Sequence, residues 1–212
     1  MAVIEAAMFL AAETGLRVIA VEYTLAPHSK WQETPDEVIS VFNALAKQGF
    51  TADDIVLYGD SAGGGLAAGV TLKMRDLGME MPAVLVLWSP WADISETGDT
   101  YATLRDAEPY YTYEHVLGPS ALAYADVEDH KNPYVSPVYG DFKQGFPPTL
   151  IQGGTKELFL SNFVRLYQAL DQAGQKVKLD IYEGMPHVFV PSLPETAESQ
   201  AAIAKVRDWV SE

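Results

Sequence analysis

The feature that most constrains this chain is a short apolar strand pattern that runs directly into a glycine-rich turn around Ser61. Residues 55–58 are apolar, residues 59–63 read Gly-Asp-Ser-Ala-Gly and fit G-x-S-x-G, and a stretch of small, helix-compatible residues follows. Strand, sharp turn and helix in that order are the context of a nucleophile elbow. Because glycine lacks Cβ, the strand and the helix can approach closely while the turn holds the serine exposed. The pattern predicts Ser61 as a nucleophile; the alternative is a glycine-rich turn whose serine only caps the helix.

Strand patterns alternate with helical patterns along most of the 212 residues. Single helices between strands predict one α/β domain, with a mostly parallel sheet covered by helices on both faces. Sites in such sheets lie at the carboxyl ends of the strands. The predicted strands are 17–23, 55–58, 83–88, 149–152 and 176–182, and the predicted helices are 2–14, 34–48, 62–78, 160–173 and 195–210.

One long segment interrupts this alternation. The stretch between Asp93 and Pro147 is rich in tyrosine, proline and glycine, and includes Pro109-Tyr110-Tyr111. A segment of this length without regular structure is usually a lid or a binding insertion when it lies inside a compact domain. We therefore expect a lid- or cap-like insertion at about 94–147, the alternative being an irregular surface excursion.

Charge and cysteine content exclude several classes of partner and chemistry. The chain has 29 acidic and 14 basic residues and a net charge of −15, which argues against nucleic acid or an anionic membrane as partner. The chain has no cysteine, which excludes disulfides, thiol nucleophiles and cysteine-ligated metals. The first 16 residues are apolar but too short to span a bilayer, and they carry Glu5 and Glu13 without a basic leader. We expect a cytoplasmic location.

A serine nucleophile on such a sheet needs an acid and then a histidine later in the chain. Only His115, His130 and His187 follow Ser61. His187 comes directly after a predicted strand, in a loop with glycine and proline, where a general base can turn toward the serine. His115 and His130 belong to the insertion and are expected to be surface-loop histidines.

Two carboxylates compete for the role of the acid. Glu157 and Asp93 each follow a predicted strand, and the place of Glu157 before the last strand suits a carboxylate that orients the imidazole. Position favours Glu157 and leaves Asp93 as its rival. Asp60 is next to the nucleophile in sequence, so its side chain should diverge from that of Ser61 and have a structural role.

Six sequence blocks together resemble the bacterial hormone-sensitive-lipase-like esterases of the α/β-hydrolase superfamily. These blocks are residues 23–27, 59–64, 87–93, 132–137, 153–158 and 183–187, and the resemblance covers residues 17–190 in the family's order. The resemblance implies that Ser61 is the nucleophile, Glu157 the acid and His187 the base. It also implies a carboxylesterase that acts on short or medium acyl chains without a cofactor. Members often dimerise through the last strand and helix, here 176–182 and 195–210.

The sequence departs from the family pattern in three places. Where the family usually has Tyr-Arg-Leu-Ala-Pro-Glu, this chain has Thr24 in place of the arginine and His28 in place of the glutamate. Asn162 replaces an aspartate that commonly follows the acid. The His-Gly-Gly-Gly block, which donates N–H groups to the oxyanion, does not occur in this chain. By resemblance it would precede residues 2–14, so we expect a fold that is N-terminally truncated relative to the family. The N–H of Ala62 is the oxyanion donor that the sequence retains.

A missing block would also remove a strand between 17–23 and 55–58. Unpaired backbone groups are costly, so we expect these two strands to pair directly, or a second molecule to fill the space in a homo-oligomer such as a dimer.

The sequence thus predicts a serine carboxylesterase with a small-molecule ester as substrate. Two alternatives stay open: an amidase or deacetylase with the same triad, and a catalytically impaired fragment or ligand-binding relative. Comparable amide turnover would favour the first alternative. Failure of an organophosphonate to label Ser61 would favour the second, because covalent capture needs an activated serine.

Overall fold

The computed structural model describes residues 2–211 of the chain. Its strands are β1 (Val56–Asp60), β2 (Val84–Trp88), β3 (Thr149–Gly154) and β4 (Val177–Tyr182). Its α-helices are α1 (Ala2–Thr14), α2 (Thr34–Lys47), α3 (Ala62–Asp76), α4 (Thr100–Thr103), α5 (Gly118–Tyr124), α6 (Leu160–Gln172), α7 (Phe189–Ser192) and α8 (Ala197–Ser211). Across residues 2–211, no helix combines the length and the apolar character needed to cross a membrane.

The four strands form one parallel sheet in the order β1-β2-β3-β4. Alternate side chains of β2 point to opposite faces, as the period of a strand requires. Leu85 and Leu87 pack in the core cluster that includes buried residues of α3 and α6, whereas Val86 and Trp88 pack in the cluster that includes those of α1 and α8. The predicted fold class, a parallel sheet with helices on both faces, is confirmed.

Helix α2 forms an outer layer against α3. Its buried face of Val38, Ile39 and Phe42 packs on Val70 and Met74 of α3. Proline in the first turn and acidic residues close to the N-terminus favour the start of this helix, since both suit the unpaired N–H groups there. The result is a stable support on the outer side of the helix that follows Ser61.

The predicted strand at 17–23 is wrong. This segment has no strand pairing, and β1 pairs with β2 rather than with residues 17–23. Val21 and Tyr23 are half-buried in the cluster that also holds Ile55 and Leu57, so the segment packs beside β1 through side chains. A strand exists only where a neighbour accepts and donates its backbone hydrogen bonds, whatever its apolar pattern. Three apolar residues in and before the segment are exposed by 37–48%: Leu16, Val18 and Ile19.

Residues 94–147 form a series of short helical turns instead of open loop. Besides α4 and α5 they include a π-helical turn at Tyr113–Leu117 and 3₁₀ turns at Val127–Asp129, Pro137–Tyr139 and Phe142–Gln144. Leu117, Ala121, Ala125 and Val135 are buried in the core shared with α3 and α6. The segment is therefore a packed part of the domain, and its role as a lid stays a prediction.

The two histidines of this segment differ in their surroundings. His115 is exposed, as predicted. His130 is only 8% exposed, and its Nε2 lies 3.3 Å from the carbonyl oxygen of Ala125. The prediction of a surface histidine at 130 is wrong, because the 3₁₀ turn that precedes it folds the ring back against the end of α5.

Candidate active site

Ser61 occupies the sharp turn between β1 and α3. Its backbone has φ +52° and ψ −123°, a conformation that residues with a side chain rarely adopt. Two hydrogen bonds to the end of β2 and the loop after it hold the turn: the Ser61 N–H donates to Trp88 O at 2.9 Å, and the Trp91 N–H donates to Ser61 O at 2.8 Å. The strained geometry expected of a nucleophile elbow is therefore present and anchored from the neighbouring strand.

Glycines around this turn make room for close backbone contacts. A Cβ on Gly59 would overlap the carbonyl oxygen of Gly63, so the strand and the first turn of α3 meet only because that atom is missing. A Cβ on Gly65 would likewise overlap the carbonyl oxygen of Trp91. The first contact brings α3 onto β1, and the second brings it onto the loop after β2.

His187 lies in the loop that follows β4 and reaches Ser61 across the carboxyl ends of the strands. Gly184 starts this loop with φ +73°, and its N–H donates to Thr155 Oγ1 at 2.8 Å. The Lys156 N–H donates to Met185 O at 3.1 Å, which fixes the loop to the segment after β3. His187 itself is 5% exposed, and its Nε2 is 2.9 Å from Ser61 Oγ.

Glu157 lies on the other side of the imidazole. Its carboxyl group is fully buried, and Oε2 is 2.8 Å from His187 Nδ1. Oε1 accepts the Gly154 N–H at 2.6 Å and the Ser89 hydroxyl at 2.9 Å. An ionised carboxylate can only accept a hydrogen bond, so the Nδ1–H of His187 donates to Glu157. Nε2 is then unprotonated and can accept the Ser61 hydroxyl proton. The structure thus joins Ser61, His187 and Glu157 in one hydrogen-bonded chain.

Asp93, the rival carboxylate, makes its contacts elsewhere. Although fully buried, it pairs with Arg165 at 2.6 Å and accepts the Tyr139 hydroxyl at 2.9 Å through Oδ2. Its Oδ1 accepts both the N–H and the hydroxyl of Ser95. A carboxylate saturated in this way stabilises the segment after β2, and the structure gives it no hydrogen bond to His187.

Aromatic and acidic groups surround the imidazole. The rings of Tyr111 and Phe159 each meet the His187 ring edge to face, with centroids 5.2 Å apart. Burial raises the pKa of the Asp60 carboxyl and of the Glu108 carboxyl, and both groups interact electrostatically with His187.

Sequence reasoning missed several of these neighbours. The Pro109-Tyr110-Tyr111 run signalled an aromatic contribution from residues 94–147, but nothing in the sequence marks Phe159 or Glu108 as neighbours of His187. Ser89 gave no signal either, because a serine after a strand is a common turn residue.

An apolar cavity of about 230 Å³ opens beside the elbow. Ala62, the residue after Ser61, contributes to its wall, so the cavity adjoins the nucleophile. The larger side chains that line it are Tyr23, Leu25, Leu66, Trp91, Ile94 and Tyr124. Among the residues that the structure describes, no cluster of three or more histidine and acidic side chains has the geometry to hold a metal ion.

Comparison with known proteins identifies relatives along nearly the whole chain. A family model for the alpha/beta hydrolase fold matches residues 5–191. An esterase of Acinetobacter venetianus is 33% identical over 199 residues, which cover 92% of this chain and 65% of the esterase. An acetyl-hydrolase of Streptomyces hygroscopicus is 34% identical over 184 residues, which cover 85% of this chain and 61% of that protein. This chain therefore spans less than two thirds of the length of these two curated relatives.

A solved structure shows the same similarity in three dimensions. The crystal structure of a hormone-sensitive lipase from a metagenome library has a TM-score of 0.89 and 34% sequence identity to this chain. The match covers 95% of this chain and 69% of the lipase chain.

The positive φ of Ser61 predicts an unusual ranking of two variants. Ser61→Gly should be more stable than Ser61→Ala by about 1 kcal/mol, because alanine keeps the strained Cβ and glycine removes it. Urea unfolding followed by circular dichroism measures the difference. Ser120, an exposed residue of helix α5, is the matched control. At position 120 the alanine variant should be more stable than the glycine variant by roughly 0.5–1 kcal/mol, because glycine destabilises a helix. The same ranking at both positions would contradict the strained turn.

Proposed function

This chain belongs to the alpha/beta hydrolase fold family, among the hormone-sensitive-lipase-like esterases, and on that premise we propose that it is a serine carboxylesterase. The observation that carries the proposal is the hydrogen-bonded chain from Ser61 through His187 to Glu157. In this proposal Ser61 is the nucleophile, His187 the general base and acid, and Glu157 the carboxylate that orients the imidazole. The proposal concerns the activity of the whole protein, of which these residues form the reacting centre.

The proposed reaction has two halves. Ser61 Oγ bonds to the ester carbonyl carbon while its proton moves to His187 Nε2, and the carbonyl oxygen takes the negative charge of a tetrahedral intermediate. The carbon–oxygen bond to the alcohol then breaks, and His187 returns the proton to that leaving oxygen. A water molecule attacks the acyl-enzyme, gives its proton to His187, and Ser61 regains a proton as the carboxylic acid leaves. Glu157 stays ionised throughout and stabilises the imidazolium.

The N-terminus of α3 supports the assignment of Ala62 as the oxyanion donor. The first N–H groups of a helix have no partner within it, and the helix dipole favours negative charge there. Ala62 is the first residue of α3 and follows the nucleophile directly. Its N–H can therefore meet the charge that develops on the carbonyl oxygen.

Short to medium acyl esters are the proposed substrates. The apolar cavity beside Ala62 holds about 230 Å³, which suits a small acyl or alcohol group better than a long chain. The acetyl-hydrolase among the relatives points the same way. Turnover of p-nitrophenyl esters with acyl chains of increasing length is the direct test, and acetate or butyrate should be favoured. The absence of turnover in folded protein would contradict the proposal.

Ser61 and His187 should behave as one catalytic unit. Ser61→Ala and His187→Ala should each lower kcat by roughly 10⁴- to 10⁶-fold, and the double variant should be scarcely worse than either single variant. Steady-state kinetics on p-nitrophenyl acetate measure the effect. His115→Ala, which changes an exposed histidine, is the control and should keep wild-type kcat. Losses that multiply in the double variant would show that the two residues do not share a step.

Substitutions of Glu157 and of Asp93 should have different effects, the first on turnover and the second on stability. Glu157→Gln keeps the shape but removes the charge that supports the imidazolium, so kcat should fall by about 10⁴-fold in folded protein. Asp93→Asn should instead lower the free energy of unfolding, because it weakens the pair with Arg165. Kinetics and urea unfolding on both variants decide the matter. Loss of turnover in folded Asp93→Asn together with an active Glu157→Gln would reverse the assignment.

A homodimer is the proposed assembly, with the open edge of β1 as its interface. Within residues 2–211 the sheet ends at β1 on one side and β4 on the other, and unpaired edges favour pairing with another chain. Val18 and Ile19 expose apolar surface in a segment that packs beside β1. The cytoplasmic location stays a prediction.

Light scattering on two variants tests this assembly. Val18→Asp should convert the dimer to monomer, because it places a charge on the exposed apolar segment. Lys178→Glu, at an exposed position on β4, should leave the dimer intact. Monomeric wild-type protein would contradict the dimer, and dissociation by Lys178→Glu alone would move the interface to β4.

A further inference from the structure

We propose that Ser89 is a positioning residue that keeps Glu157 and His187 aligned with each other, an inference that rests on the function proposed above. Ser89 directly follows β2 and is 1% exposed. Its hydroxyl donates to Glu157 Oε1 at 2.9 Å and accepts the Val188 N–H at 2.9 Å. One hydroxyl group therefore joins the carboxylate to the residue that follows the base.

The hydrogen bonds of Glu157 explain why such a contact matters. Rotation about the last torsion of a glutamate side chain is soft, so a carboxylate needs other bonds to fix its plane. The Ser89 hydroxyl and the Gly154 N–H both bind Oε1, which leaves Oε2 aimed at His187 Nδ1. Without the hydroxyl, Oε1 keeps one bond and the carboxylate can turn about it.

The same hydroxyl restrains the base loop. Val188 has φ +51°, an unfavourable conformation for a β-branched residue, and its N–H is the group that Ser89 accepts. The bond helps to hold the chain in the conformation that turns the preceding His187 toward Ser61. Ser89 thus acts on both partners of the Glu157–His187 bond at once.

Backbone strain points to the same residue. The non-glycine residues with positive φ in the part of the chain that the structure describes are Ser61, Ser89 and Val188. All three belong to the triad or are bonded directly beside it. Ser89 has φ +47°, where glycine would fit without strain, and its N–H donates to Gln152 O at 2.7 Å. A strained serine at a position that suits glycine indicates that its hydroxyl is used.

Two substitutions remove the hydroxyl in different ways. Ser89→Gly relieves the strain and Ser89→Ala keeps it, so a common effect of both reports the hydroxyl alone. Each should lower kcat on p-nitrophenyl acetate by about 10- to 100-fold with KM changed less than about threefold, since misplaced catalytic groups lose rate rather than affinity. Ser136→Ala is the control, because Ser136 is also fully buried and its hydroxyl accepts an N–H, that of Ile94, without a hydrogen bond to a triad residue. It should keep wild-type kcat.

A double-mutant cycle separates positioning from general support of the fold. If Ser89 acts by aligning the Glu157–His187 bond, which Glu157→Gln already disrupts, Ser89→Gly should cost less than about threefold in a Glu157→Gln background. A residue that only supports the fold would cost the same factor in both backgrounds. An undiminished loss in the Glu157→Gln background would overturn the inference.

A spectroscopic measurement keeps the inference independent of turnover. The downfield proton resonance of His187 Nδ1–H reports its bond to Glu157, and Ser89→Gly should shift or broaden it while Ser136→Ala leaves it unchanged. If wild-type protein hydrolyses no ester but Ser89→Gly perturbs this resonance, the proposed function fails and the positioning role stands. An unchanged resonance together with an unchanged kcat would overturn the positioning role and leave the proposed function intact.

Discussion

The geometry of the site depends on the close approach of two backbones at the turn between β1 and α3. Gly59 and Gly63 touch where a Cβ would overlap, so the helix begins immediately after the strand ends. That approach forces Ser61 into its positive φ, and hydrogen bonds with Trp88 and Trp91 balance the strain. A wider turn would leave the serine in an ordinary conformation and out of reach of His187. Packing of α3 on the sheet therefore sets the position of the hydroxyl group.

The sequence predicted the main elements and the members of the candidate triad because each leaves a local signal. Glycine spacing marks the turn at Ser61, and alternating strand and helix patterns give a parallel sheet whose strand ends meet at one edge. The order of Ser61, Glu157 and His187 then follows, with the family resemblance favouring Glu157 over Asp93. In the structure Glu157 contacts His187, whereas Asp93 is saturated by Arg165, Tyr139 and Ser95.

Where prediction from sequence failed, the missing information was non-local. Residues 17–23 have the apolar pattern of a strand, but pairing depends on a neighbour that the pattern does not reveal, and the segment packs through Val21 and Tyr23 instead. His130 is buried by a turn whose direction no local motif specifies. Ser89 is hidden for a different reason, since its positive φ and its two contacts arise only when the ends of β2, β3 and β4 come together.

The proposed reaction develops a positive and a negative charge at the strand ends, and different groups stabilise each of them. The tetrahedral intermediate pairs an imidazolium with an oxyanion, and the Glu157 carboxylate lies 2.8 Å from His187 Nδ1, where it stabilises the imidazolium. A carboxylate near the site opposes an oxyanion, so the stabilisation of the oxyanion must come from N–H groups. The Gly154 N–H cannot serve, because it is already committed to Glu157. In the proposed mechanism the N–H groups in the first turn of α3 therefore stabilise the oxyanion, and the activation barrier depends on how closely the Ala62 N–H approaches it.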